Sequence, residues 1–172
     1  SPTGFTDIRM RMVFLHGAGG NFQSLSPLVD ALSDFEPLAL SLPGRCGVPG
    51  AAPTSVSEAA DWVSDQLADS SDVVLVGHSY GGGIAIELAL RQPALLSRLV
   101  LMGTGARLRV HPIILQVVEA AAAKGEHPPP SPGLWRPDTD SGFRALMEAR
   151  VNETPPASSV VDWRSANAFD RI

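Results

Sequence analysis

In the stretch VVLVGHSYGGGIAIELA, residues 73–89, Ser79 lies between Gly77 and Gly81. This is the spacing of a nucleophile held on a tight turn. A serine hydroxyl attacks poorly until a base removes its proton, and the tetrahedral intermediate it forms needs hydrogen-bond donors where negative charge develops. The local context suits that chemistry. Val73 to Val76 are a continuous aliphatic run and the segment from Gly82 to Arg91 has helical spacing, so Ser79 falls where a buried strand gives way to a helix. That point is the carboxyl edge of a sheet, where ligands bind in open α/β folds. Gly77 and Gly81 stand where the strand and helix backbones pass too closely for a β-carbon. Gly82 and Gly83 extend the pattern; each costs a helix up to about 1 kcal/mol relative to alanine, which implies a packing reason.

A second stretch, VFLHGAGGN at residues 13–21, ends an apolar run in His16-Gly17 and a flexible loop. Its backbone N–H groups would point at whatever sits beside Ser79. The elements that must position both stretches follow from the remaining apolar runs. Strands are expected at Met10–Leu15, Leu38–Leu42, Val73–Val76 and Leu99–Met102, each without polar alternation, as in parallel strands covered on both faces. Helix-length segments lie between them at Ser24–Ser33, Ser55–Ala68 and Gly82–Arg91, the middle one with Ser57 as its cap candidate. Alternating strands and helices predict an α/β class with a parallel, doubly wound sheet. After Gly103 no strand-like run remains: helices are expected at 111–124, Gly142–Val151 and Ala157–Phe169, with the proline-rich HPPPSPGLWRP between the first two. The chain therefore divides into a core at 1–104 and a helical segment at 105–172, either a plain helical subdomain or a lid over a pocket.

Composition narrows the function classes. At 172 residues with 44% apolar residues the chain can build one core. The net charge is −5 and the twelve arginines and one lysine form no basic run, which argues against nucleic-acid binding and for a small neutral or apolar partner. No apolar stretch reaches the length of a membrane span and the first residues lack a signal pattern. The lone Cys46 fits a reducing compartment, so a cytoplasmic location is expected. No metal-ligand spacing, phosphate loop or dinucleotide fingerprint occurs, so no metal or cofactor is expected.

Taken together, the Gly-x-Ser-x-Gly elbow and the upstream His-Gly loop resemble the α/β-hydrolase superfamily. LSLPGRCGVPG, residues 40–50, is similar to that family's Asp-x-Pro-Gly-x-Gly segment, with Ser41 in place of Asp and Cys46 in place of Gly. LVLMGTGARL at 99–108 resembles the strand leading into the family's cap domain, and DWRSANAFDRI looks like the exit from it. The resemblance implies Ser79 as nucleophile. The oxyanion would be held by the backbone N–H groups of Tyr80 and Ala18, with His16, Gly17, Gly77 and Gly81 in support.

The same resemblance calls for an acid and then a histidine after Ser79 in chain order. His16 and His78 belong to the loop and the elbow, whereas His111 and His127 lie in the helical segment with no strand before them. Glu119 with His127 is the one in-chain alternative. A partial chain is expected, nearly inert alone, whose missing acid and histidine come from a further C-terminal segment or a second chain. The function implied is that of a carboxylesterase-like serine hydrolase acting on a small acyl substrate. The other reading is a non-catalytic binding module that kept the fold and lost the triad.

Overall fold

In the computed structural model, which describes residues 10–131 and 133–172, the four apolar runs form one parallel sheet. Its strands are β1 (Arg11–Leu15), β2 (Leu38–Leu40), β3 (Val73–His78) and β4 (Leu96–Met102), in the order β2-β1-β3-β4. Among the described residues six α-helices accompany them: α1 (Ser26–Ala31), α2 (Val56–Gln66), α3 (Tyr80–Arg91), α4 (Pro112–Ala123), α5 (Ser141–Val151) and α6 (Pro156–Ala168). Double coverage explains the lack of polar alternation in β1 and β3. Val13, Leu15, Val73 and Leu75 pack with Ala59, Val63, Ile84 and Leu88 of α2 and α3. Phe14, Val74 and Val76 face the opposite way, against Leu25, Leu28, Val29 and Leu32. Burying each such side chain contributes roughly 1.5–3 kcal/mol. The register Leu15↔Gly77 brings the ends of β1 and β3 level, so their exit loops leave the sheet side by side.

Two local expectations are corrected. The segment expected as one helix, Ser24–Ser33, is a 3-10 turn at Phe22–Leu25 followed by α1 and a second 3-10 turn at Ser33–Phe35. Pro27 is the cause: it has no N–H to continue the first turn but suits the second position of a new helix. The cap of α2 is Ser55 rather than Ser57. Ser55 Oγ accepts from Glu58 N at 3.1 Å, while the Glu58 carboxylate accepts from both Thr54 N and Thr54 Oγ1.

The segment from 105 onward is helical and shares the main core. Ala166 and Phe169 pack with Ile84 and Ala85, Leu108 N donates to Phe169 O at 3.1 Å, and Arg107 bridges to Asp170. Helix α4 packs on α6, and α5 lies against the Phe22–Leu25 turn. At the far edge, β4 leaves Leu99, Val100 and Leu101 between 37% and 44% exposed. Among the described residues no helix is long and apolar enough to cross a membrane.

Candidate active site

Ser79 caps α3 with φ 51° and ψ −116°, a sparsely populated backbone conformation for a residue other than glycine. Four hydrogen bonds hold it there. Its N–H donates to Met102 O at 2.9 Å, and its carbonyl accepts from Gly82 N at 2.9 Å, Gly83 N at 3.2 Å and Thr104 Oγ1 at 2.8 Å. The two flanking glycines are required by contact. A β-carbon on Gly77 would lie 2.6 Å from Gly82 Cα, and one on Gly81 would collide with the carbonyls of Leu15 and His16. The second contact seats the start of α3 on the end of β1. The result is that Gly17 sits beside the serine: a β-carbon there would be 3.4 Å from Ser79 Cβ.

The loop after β1 is a turn closed by Gly20 N donating to Gly17 O at 3.0 Å, with Gly19 at φ 71° in its third position. Its first carbonyl is held twice, since His16 Nδ1 also donates to Gly17 O at 2.8 Å. The direction of that bond follows from the other ring nitrogen: His16 Nε2 accepts from Leu42 N at 3.2 Å, so the proton is on Nδ1. Burial, and then the charge of Arg45, lower the imidazole pKa to about 4 and keep the ring neutral. Gly17 C=O and Ala18 N–H belong to one planar trans peptide, so fixing the carbonyl fixes the amide pointing the other way. Gly19, Gly20 and Asn21 all donate their N–H groups to protein acceptors. Ala18 N has no acceptor among the described residues. Tyr80 N opens α3 and has no intrahelical partner. Tyr80 itself is fully buried; its hydroxyl donates to Ser165 Oγ at 3.0 Å, and burial raises its pKa.

The His78 ring packs between Gly17 and Gly103, its pKa lowered by burial. His111 caps α4, its Nδ1 accepting from Ile113 N at 3.3 Å. Glu119 does not pair with His127: its carboxylate accepts from Arg164 Nε at 2.8 Å. Among the described residues no side chain hydrogen bonds Ser79 Oγ, and no group of three or more His, Cys, Asp or Glu could hold a metal.

The structure adds a pair that sequence reasoning missed. Arg45 and Asp162, both with fully buried side chains, form a bidentate ion pair at 2.5 and 2.8 Å beneath the turn. The Asp162 carboxylate also accepts from Gly19 N at 2.9 Å, and Arg45 Nη1 donates to Gly20 O at 3.0 Å. Arg45 Nε has no partner among the described residues. Of the two departures noted in the 40–50 segment, Ser41 is buried and accepts from Phe22 N at 2.8 Å, while Cys46 takes φ 48°.

A family model described as alpha/beta hydrolase family matches residues 12–172. A pimeloyl-[acyl-carrier protein] methyl ester esterase from Neisseria meningitidis is 29% identical over 156 residues, covering 90% of this chain and 58% of the relative. The protein of the same name from Aromatoleum aromaticum is 39% identical over 102 residues, 56% of this chain and 38% of that one. Among solved structures, a lipase-esterase related protein from Clostridium acetobutylicum superposes with a TM-score of 0.69 at 21% identity, over 93% of this chain and 67% of the other. The chain spans about half the length of the curated relatives it matches.

Proposed function

Because this chain belongs to the alpha/beta hydrolase family, we propose that it carries the nucleophile and oxyanion half of a serine esterase, with Ser79 forming an acyl-enzyme. The observation that carries the reading is the backbone of Ser79, held at positive φ beside a turn whose Ala18 amide is uncommitted. A base takes the Ser79 proton as Oγ attacks the ester carbonyl carbon, and the negative charge moves to the carbonyl oxygen between Ala18 N–H and Tyr80 N–H. Collapse expels the alcohol, which leaves with the proton from the base. Water, activated by the same base, then hydrolyses the acyl-enzyme and restores Ser79. Neither oxyanion donor titrates, and the buried His16 imidazole that braces the turn stays neutral above about pH 4.

The base and its acid come from polypeptide beyond these 172 residues, in the same chain or a second one. Two observations support this: no described imidazole hydrogen bonds Ser79 Oγ, and the β4 flank exposes apolar side chains where further strands would pack. Residues 105–172 act as the cap. Ile113, Val117 and Leu134 are exposed apolar side chains of that segment and suit an acyl chain. The substrate named for the Neisseria relative makes methyl esters of medium acyl chains the first to try.

A second reading, a binding module without catalysis, is favoured by the same lack of a base on Ser79 Oγ. Fluorophosphonate labelling and hydrolysis of nitrophenyl acyl esters separate the two. The complete polypeptide should label at Ser79 and turn over. The 172-residue chain alone should be nearly inert, because loss of the triad histidine costs about 10⁶-fold in turnover. A complete polypeptide that neither labels nor hydrolyses any ester supports the binding module.

A further inference from the structure

Helix α6 lies in the cap segment, yet it touches both arms of the oxyanion site. Asp162 accepts from Gly19 N, the amide immediately after Ala18, at 2.9 Å. Three residues on, Ser165 accepts from the hydroxyl of Tyr80 at 3.0 Å. Positions i and i+3 share a helix face, so one rigid surface reaches Ala18 through its neighbour and Tyr80 through its side chain. From this geometry we propose that Asp162, with Arg45 and Ser165, is a positioning residue that sets the two oxyanion amides at their working separation.

The proposal rests on the nucleophile reading of Ser79. The turn needs such a hold because its own bonds fix only part of it. Gly17 O is fixed by His16 and Gly20, which orients the Ala18 amide; among the described residues the next peptide, Ala18 to Gly19, is fixed by Asp162 alone. A carboxylate placed there would oppose a developing oxyanion, and Arg45 removes that conflict. Its guanidinium neutralises Asp162 through two bonds while a third bond holds Gly20 O. Thr154, just before α6, donates to the same Gly20 carbonyl at 2.9 Å. The helix that frames the substrate side thus also sets the charge-stabilising donors, which couples cap seating to turnover.

The test uses the complete polypeptide and a nitrophenyl acyl ester. The double variant Arg45→Met/Asp162→Leu removes both charges at similar volume, so that no lone charge stays buried. Its kcat should fall on the order of 10- to 100-fold, approaching the loss of one oxyanion donor, with KM within about 2-fold. Affinity for a trifluoromethyl ketone that mimics the oxyanion should fall in parallel. Arg45→Met/Asp162→Asn, whose amide oxygen still accepts from Gly19 N, should recover much of the loss. Wild-type kcat and inhibitor affinity in a folded Met/Leu variant overturn the proposal, as does an equal loss in the Met/Asn variant. Ser79→Ala distinguishes the two levels. If it is inactive while Met/Leu is fully active, only the positioning role fails; if it keeps the wild-type rate, both fail.

Discussion

Around the turn after β1, charged and polar groups are buried and bonded: Arg45 to Asp162, Asn21 to Thr154, Tyr80 to Ser165. Along β4 the reverse holds, with Leu99, Val100 and Leu101 facing outward from a strand hydrogen bonded on one side only. Polar groups without water and apolar groups with it are each costly alone. The first region has met its cost internally at all of these groups but Arg45 Nε, and the second has not. The contrast coincides with the proposed division of catalytic labour. The proposed oxyanion donors lie in the bonded region, whereas among the described residues no side chain hydrogen bonds Ser79 Oγ.

The largest effect belongs to the serine. Ser79→Ala in the complete polypeptide should lower ester turnover on the order of 10⁶-fold. The melting temperature should stay nearly unchanged, because the backbone bonds that hold residue 79 do not involve its side chain. Parallel measurement of hydrolysis and thermal unfolding checks both halves; substantial residual activity would move the nucleophile elsewhere.

Next in size is the ion pair, where the loss is in stability. Asp162→Ala leaves the Arg45 guanidinium buried without its counter-charge and should cost about 3–5 kcal/mol in urea unfolding. The surface pair Arg136–Asp138, mostly exposed, is the control: Asp138→Ala should cost less than about 1 kcal/mol. Equal losses at the two sites would erase the distinction between the bonded region and the surface.

The legibility of these features differs for a physical reason. The strands, the elbow and the His-Gly loop were readable because apolar runs and glycine spacing are local signals, and the structure places β1 and β3 within a residue or two of those runs. The Arg45–Asp162 pair was not, since 117 positions separate its members and neither has a local reason to be buried. Helix α6 also turns a polar stripe inward, Ser158, Ser159, Asp162 and Ser165, which a search for apolar periodicity passes over. Recurrence of small polar residues at helical spacing, with one acid among them, was the available signal. The Ser57 expectation failed by a smaller margin: two serines flank the helix start, and Glu58 reaching back to Thr54 selects the earlier one.

A third effect separates the regions by pH. His16 is neutral in the folded protein with a pKa of about 4, against 6.5 when exposed, so the unfolded chain binds a proton that the folded one does not. The stabilisation from keeping it neutral is complete above pH 6.5 and is lost as pH falls toward 4, amounting to about 3 kcal/mol at pH 4. Unfolding free energies across this range should show that slope in the native chain, and His16→Gln should flatten it. A parallel slope in the variant would assign the acid sensitivity to other groups.

The smallest effect tests the open flank directly. Val100 is 42% exposed and pairs in register with Val76, whose own side chain is buried. In the 172-residue chain, Val100→Thr exchanges a methyl for a hydroxyl that water can solvate, so its cost should stay below about 0.5 kcal/mol. In the complete polypeptide, a strand added beside β4 and the layer over it would bury that hydroxyl, and the cost should rise to about 1–3 kcal/mol. Val76→Thr supplies the reference, because its site is covered in both forms and its cost should be the same in each. Urea midpoints for the two substitutions in the two backgrounds give the comparison. If Val100→Thr costs the same small amount in both, β4 is a true edge, and the base must reach Ser79 from another side of the sheet.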